Sequence, residues 1–215
     1  MLLNKIEYWA MNNPVRGYVQ RHYEAPRLQR LAHPGVKHVL EIGCGQGTGA
    51  RIIYELFGPE RYVGVDLDPS MIQRARKRSG GLPNVTFLQG DVSNLDFSDG
   101  SFDLVVDFGI VHHVPNWNDA LAEVHRLLAV DGEFLFEDLS VETWERGIGI
   151  PFKKITDHPY DQMFRKSEFV GELEALGFDV ETHETSPFSF YHFWGRARKI
   201  SGKGPGPRIA LPGNP

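Results

Sequence analysis

The sequence predicts an α/β fold built on a doubly wound sheet. Three observations carry this. The apolar run Val39-Leu40-Glu41-Ile42 feeds directly into Gly43-Cys44-Gly45-Gln46-Gly47-Thr48-Gly49, a strand entering a glycine-rich turn. From residue 36 to 140, short apolar runs of strand length alternate with longer helical stretches, the rhythm of a parallel sheet with crossover helices. Two of the runs end in acids, Asp66 and Asp91, where open α/β sheets place their ligand contacts.

Taken in order, residues 3 to 31 suggest one or two helices interrupted near Pro14, with Ile6, Trp9, Tyr18, Val19, Tyr23, Leu28 and Leu31 loosely at helical spacing. After the first strand and its glycine loop, Arg61 to Asp66 reads as a second buried strand. Asp68 caps a helix from Ser70 to about Ser79. Val85 to Val92 gives a third strand and Ser101 to Phe108 a fourth. Arg165 to Leu176 is a helix, with Ser167 as its cap and Gly177 as its stop. Phe178 to Thr185 and Ser189 to Ala197 form a closing strand pair across Ser186-Pro187-Phe188. Residues 201 to 215 combine glycine and proline with no acid and are expected to be disordered. There is no internal repeat.

The glycine spacing selects among nucleotide sites. Glycines at every second position let a backbone turn sharply and approach a ligand closely. A dinucleotide fingerprint counted from Gly43 would need its third glycine at position 48, and Thr48 stands there, which argues against a nicotinamide oxidoreductase. Asp66 follows Gly43 by 23 residues, close to the distance at which a carboxylate reaches ribose hydroxyls. An ionised carboxylate accepts from both hydroxyls at once.

The pattern of Glu41, Gly43, Gly45 and Gly47 behind an apolar strand resembles motif I of the class I S-adenosylmethionine-dependent methyltransferases, in its small-molecule group. The resemblance covers residues 36 to 140 well. It implies a Rossmann-like sheet of seven strands, mostly parallel with the last strand antiparallel, and helices on both faces. It implies that Glu41 shapes the loop and helps hold the amino acid moiety of the cofactor, S-adenosylmethionine. Asp66 and Leu67 would lie at the ribose. In the family's Gly-Asp-apolar element, matched by Gly90-Asp91-Val92, Asp91 would receive the adenine amino group and Val92 would offer an amide and an apolar edge. Asp107 and Phe108 would border the methionine end. Glu123 to Asp138 looks like the family's helix, tight turn at Asp131-Gly132 and fifth strand. Gly109 to Val114 resembles the family's His-His segment, making His112 and His113 the first candidates for a general base, ahead of Asp107, Glu137, Asp138 and His158. The ligand motif of the family's metal-dependent branch is not found, so no metal is assigned.

The expected organisation is one domain over residues 1–200, with an N-terminal helical cap (1–31), a cofactor-binding core (36–140) and a substrate-covering insertion (141–164), followed by the tail. The methyl acceptor is expected to be a small molecule, with lipophilic metabolites among the candidates, under the cap and insertion. Trp9, Tyr18, His22, Trp144, His158 and Tyr160 are the candidate contacts. A membrane lipid or quinone, or a macromolecule, is the alternative acceptor.

The 215 residues carry a net charge of −5, with 41% hydrophobic and 24% charged residues. These values suit a globular domain and offer no global bias toward nucleic acid. The single cysteine, Cys44, excludes an intrachain disulfide and reads as a small filler of the loop. No run is apolar enough to span a membrane. The polar N-terminus is unlike a signal peptide, so the expected place is the cytoplasm. Arg196, Arg198, Lys199, Lys203 and Arg208 beside Phe190, Tyr191, Phe193 and Trp194 offer a membrane contact, with a solvated tail behind a buried strand the favoured reading. The oligomeric state is left open.

Overall fold

A computed structural model describes residues 13–145, 147, 149–153, 160–185 and 191–202. Seven strands lie in one sheet in the order β3-β2-β1-β4-β5-β7-β6. They are β1 (His38–Ile42), β2 (Arg61–Asp66), β3 (Val85–Gln89), β4 (Phe102–Phe108), β5 (Leu128–Asp138), β6 (Phe178–Thr185) and β7 (His192–Lys199). The first five run parallel, and β7 pairs antiparallel with both β5 and β6. This is the predicted seven-stranded, doubly wound sheet.

The central strands are apolar on both sides because both faces are covered. Leu40, Ile42, Val65, Val105, Phe134, Phe136 and Phe193 pack on one face, under α5 (Trp117–Leu127) and α8 (Lys166–Leu176). Val39, Tyr62, Leu104, Val106 and Leu135 pack on the other, with Ala50 and Ile53 of α3 (Thr48–Phe57) and Ile72 and Ala75 of α4 (Pro69–Arg78). Asp68 caps α4 as expected, its side chain accepting from the Ser70 N–H at 2.7 Å.

Several boundaries differ from expectation. β5 begins at Leu128, so Asp131-Gly132 lies inside a strand instead of before it. Asp131 has φ +64° there, and the β4–β5 register shifts between Phe102 and Leu104. The turn residues thus make a bulge that the strand absorbs. Helix α8 is entered through Arg165, whose backbone N–H donates to Glu168 at 2.7 Å; Ser167 sits within the first turn and caps nothing.

The N-terminal segment is helical with one irregularity. Pro14 opens α1 (Pro14–Val19), with Asn13 as its cap. A π-helical turn, Gln20–Glu24, then leads into α2 (Ala25–Leu31). Pro26 explains the widened turn: it has no N–H to give to the carbonyl four residues back, and its ring crowds that carbonyl. Residues 1–12, including Trp9, fall outside the described residues, as do His158 and 203–215. The insertion after β5 contributes α6 (Val141–Glu145) and α7 (Gly149–Phe152). Among the described residues, no helix is long and apolar enough to cross a membrane.

Candidate active site

The carboxyl ends of β1 to β4 open into one cleft, at the place where the strand order reverses between β1 and β4. With its mouth included, the free space is about 1200 Å³. Its floor is the glycine loop after β1. At Gly43 φ is +64°, and a Cβ would stand 2.4 Å from Ile110 Cγ1, so the loop after β4 closes directly on it. Gly45 contrasts with this: a Cβ there would meet nothing within 4 Å, because the position faces the cleft. Gly47 points away, toward Ala75 of α4, and does not line the cleft.

Asp66 fixes this loop. Its Oδ2 accepts from the Gly45 N–H at 2.8 Å and its Oδ1 from the Asp68 N–H at 2.9 Å. Each oxygen therefore keeps a further lone pair, and the residue lines the cleft with Leu67. Burial raises its pKa above the ordinary value, against those two backbone bonds. Asp91 stands across from it after β3. Its Oδ1 takes the Ser93 N–H at 2.9 Å and the Ser93 hydroxyl at 2.7 Å, and these bonds lower its pKa. Val92 adds a largely buried apolar edge.

Glu41 lies beneath the loop, 2% exposed, and accepts a hydrogen bond from the Tyr62 hydroxyl. It also sits under the first turn of α3, where a Cβ at Gly49 would come within 2.1 Å of its Oε1. Burial lifts its pKa to about 8 despite the Tyr62 bond, with Asp66 adding to the rise. Cys44 is buried beside it, and burial pushes its thiol well above its ordinary range, which suits a filler of the loop.

The loop after β4 supplies Phe108, Gly109, Ile110, His113, Val114, Pro115 and Asn116 to the cleft. Of the two histidines, His113 lines the cleft and His112 does not. Their ring centroids lie 4.0 Å apart, with the planes tilted by 38°. His112 Nδ1 pairs with Asp138 Oδ1, and its backbone N–H reaches Asp138 Oδ2 at 3.2 Å. Burial raises Asp138 to about 7 against its backbone donors. Asp107, fully buried, accepts from the Ile110 N–H at 2.8 Å. Burial, reinforced by neighbouring Asp138, holds it well above the carboxylate range. Among the described residues its Oδ2 has no hydrogen-bond partner. Asp107 thus lies behind the loop after β4 and outside the cleft lining.

Two residues that sequence reasoning missed complete the cleft. Arg16 and Gln20 reach down from α1 and the π-helical turn to form its roof. Arg16 Nη1 holds both carboxylate oxygens of Glu24, at 2.6 and 2.7 Å, and its Nη2 donates to Phe108 O at 3.2 Å. The only sequence signal was Pro14 opening a helix whose polar face carries Arg16 and Gln20. The aromatic candidates fall elsewhere. Tyr18 is 66% exposed and lies tilted against His22, while Trp144 packs edge-on against Tyr160; none of the four lines the cleft. Among the described residues, no group of three His, Cys, Asp or Glu is placed to hold a metal ion.

The profile of a family described as "Methyltransferase domain" matches residues 40–136. The phthiotriol/phenolphthiotriol dimycocerosates methyltransferase of Mycobacterium tuberculosis is 35% identical over 140 residues, 63% of this chain and 50% of that protein. A fatty-acid O-methyltransferase of Mycolicibacterium smegmatis is 37% identical over 52% of this chain and 42% of that protein. The chain thus spans about half the length of the curated relatives it matches. Among solved structures, the complex between the Haloferax volcanii Trm112 methyltransferase activator and a methyltransferase aligns with a TM-score of 0.74 at 20% identity, over 93% of this chain and 97% of that one. At that identity the likeness concerns the fold.

Proposed function

This chain belongs to the class I S-adenosylmethionine-dependent methyltransferases, and from that premise we propose that it transfers a methyl group to a small lipophilic acceptor. The observation that carries the reading is the pairing of Asp66 and Asp91 across a glycine-floored cleft at the carboxyl ends of β2 and β3. The residues fit the cofactor. Asp66 keeps an acceptor position on each oxygen for ribose hydroxyls, Asp91 has a second oxygen for an adenine amino group, and the open face of Gly45 leaves room for a chain to pass. Arg16, whose guanidinium has more donors than its described partners use, suits the cofactor's carboxylate.

When bound, the cofactor supplies a methyl group on a positively charged sulfur, and the sulfur leaves neutral. The protein therefore needs no acid for the leaving group. Its work is to hold a nucleophile in line and to exclude water. His113, in the cleft wall, is placed to take a proton from an acceptor hydroxyl or carboxyl group, and the His112–Asp138 pair behind it positions its ring. Lipophilic acceptors are favoured because the named activities of the relatives concern a dimycocerosate lipid and a fatty acid. Apolar Ile110, Val114 and Pro115 beside His113 agree with this.

Titration calorimetry with S-adenosylhomocysteine and with NAD tests the cofactor, and tighter NAD binding overturns the reading. Transfer of a labelled methyl group to long-chain fatty acids and hydroxylated lipids, compared with water-soluble amines, tests the acceptor. His113→Ala should lower kcat more than it changes the acceptor KM; unchanged kcat would assign the step to proximity alone.

A further inference from the structure

A second hollow lies behind the glycine loop, where α1, the start of α3 and the end of α4 meet. With its mouth included it measures about 450 Å³, and it is lined by Gly17, Arg21, Thr48, Arg51, Arg78 and Ser79, among others. Three guanidinium groups in so small a space are notable in a chain of net charge −5. Arg21 pairs with Glu55. Arg78 donates to Thr48 Oγ1 and Gln46 Oε1, each at 2.9 Å. Among the described residues, Arg51 makes no ion pair and no side-chain hydrogen bond.

The ten-residue helix α3 begins at the edge of this hollow. It has no side-chain cap, no acid in its first turn, and Arg51 as its fourth residue. A bare helix N-terminus carries partial positive charge and unpaired N–H groups, so a cation beside it is unfavourable unless an anion joins them. Ser79 gives an independent sign. It is 6% exposed, lines the hollow, and among the described residues its Oγ has no hydrogen-bond partner. A buried hydroxyl without a partner costs free energy that a ligand acceptor in the hollow would recover.

We propose that this hollow is an oxyanion site for a single phosphate group, held by Arg51, Ser79 and the first turn of α3, with Arg21 and Arg78 at its rim. A tetrahedral oxyanion matches guanidinium and N–H donors. The group could come from a free phosphate or from the headgroup of an anionic lipid. The chemistry is shared, and the test separates the sources.

Orthophosphate is titrated calorimetrically, at low ionic strength, into the full chain, into Arg51→Gln, into Ser79→Ala and into Lys37→Gln, a remote control paired with Glu60. In parallel, vesicles of phosphatidylcholine with and without phosphatidylglycerol are tested for capture of the same proteins. The expected result is orthophosphate binding that weakens about tenfold in Arg51→Gln, weakens less in Ser79→Ala and is unchanged in Lys37→Gln. Capture only by phosphatidylglycerol vesicles, lost in Arg51→Gln and reversed by orthophosphate, assigns the site to a lipid headgroup. Orthophosphate binding without vesicle capture assigns it to a free phosphate group. The proposal is overturned if orthophosphate does not bind or if Arg51→Gln binds it as well as wild type.

Discussion

Burial of Glu41 between Tyr62 and the first turn of α3 lifts its pKa from 4.5 to about 8, so the carboxyl group keeps its proton through neutrality. The folded state then binds more protons than the unfolded one across that interval, and stability falls as pH rises through it, levelling above about 8. Asp138, raised to about 7, and the raised Asp107 and Glu137 act with the same sign. Glu41→Gln should therefore be more stable than wild type at pH 8 and lose that advantage at pH 4; urea titrations at both values check it. Asp66 makes a different prediction. Asp66→Ala should weaken S-adenosylhomocysteine binding by roughly 1.5 to 3 kcal/mol, the scale for hydrogen bonds to a charged group. Because Gly45 and Asp68 also lose their acceptor, the melting midpoint should drop slightly while the far-ultraviolet spectrum stays unchanged. Normal binding by this variant would move the ribose to another acid. Asp66 and Asp91 were legible in the sequence because each stands at or just past the carboxyl end of a strand, and parallel strands deliver those ends to one edge. Arg16 was not: its bond to Phe108 O spans 92 residues, and no local pattern encodes such a contact. The His112–Asp138 pair was hidden for the same reason, since only packing of the loop after β4 against the end of β5 brings the two together.

At the scale of elements, the loop after β1 and the loop after β4 are fitted to each other through Gly43 and Ile110. Gly43→Ala places a methyl group 2.4 Å from Ile110 Cγ1 on a backbone with φ +64°. Overpacking of this kind costs about 1–3 kcal/mol, and the left-handed backbone adds to it. The expected outcome is a lower denaturation midpoint together with weakened S-adenosylhomocysteine binding; a midpoint equal to wild type would mean that the β4 loop yields freely. Strand identities were legible because β1, β2 and β4 are nearly unbroken apolar runs. Ends were less so. Asp131-Gly132 has turn chemistry, and nothing nearby indicates that β4 would accept Leu128 as a partner and turn the pair into a bulge. Tyr18, His22, Trp144 and Tyr160 lie outside the cleft lining, Tyr18 tilted against His22 and Trp144 edge-on to Tyr160, and composition alone does not reveal which face of an element such rings occupy.

For the whole molecule, Arg16 and Gln20 of the N-terminal helical segment roof the same cleft that the glycine loop floors. Removing residues 1–24 takes away Arg16, Gln20 and Glu24 and uncovers Glu137 and the carbonyl of Phe108. Calorimetry on the truncated, folded domain should show reduced S-adenosylhomocysteine affinity as well as lost transfer; undiminished affinity would limit the cap to acceptor binding. The overall sheet was legible from the alternation of its elements, whereas the roof depends on a π-helical turn imposed by Pro26. The antiparallel seventh strand has a consequence for biosynthesis. His192–Lys199 fills the gap between β5 and β6, yet it is made after both. Until it leaves the ribosome, the nascent chain carries two bare strand edges side by side, a template that another chain can occupy. The moment of greatest exposure to mispairing therefore comes near the end of translation of this domain, and insertion of one late strand closes both edges at once.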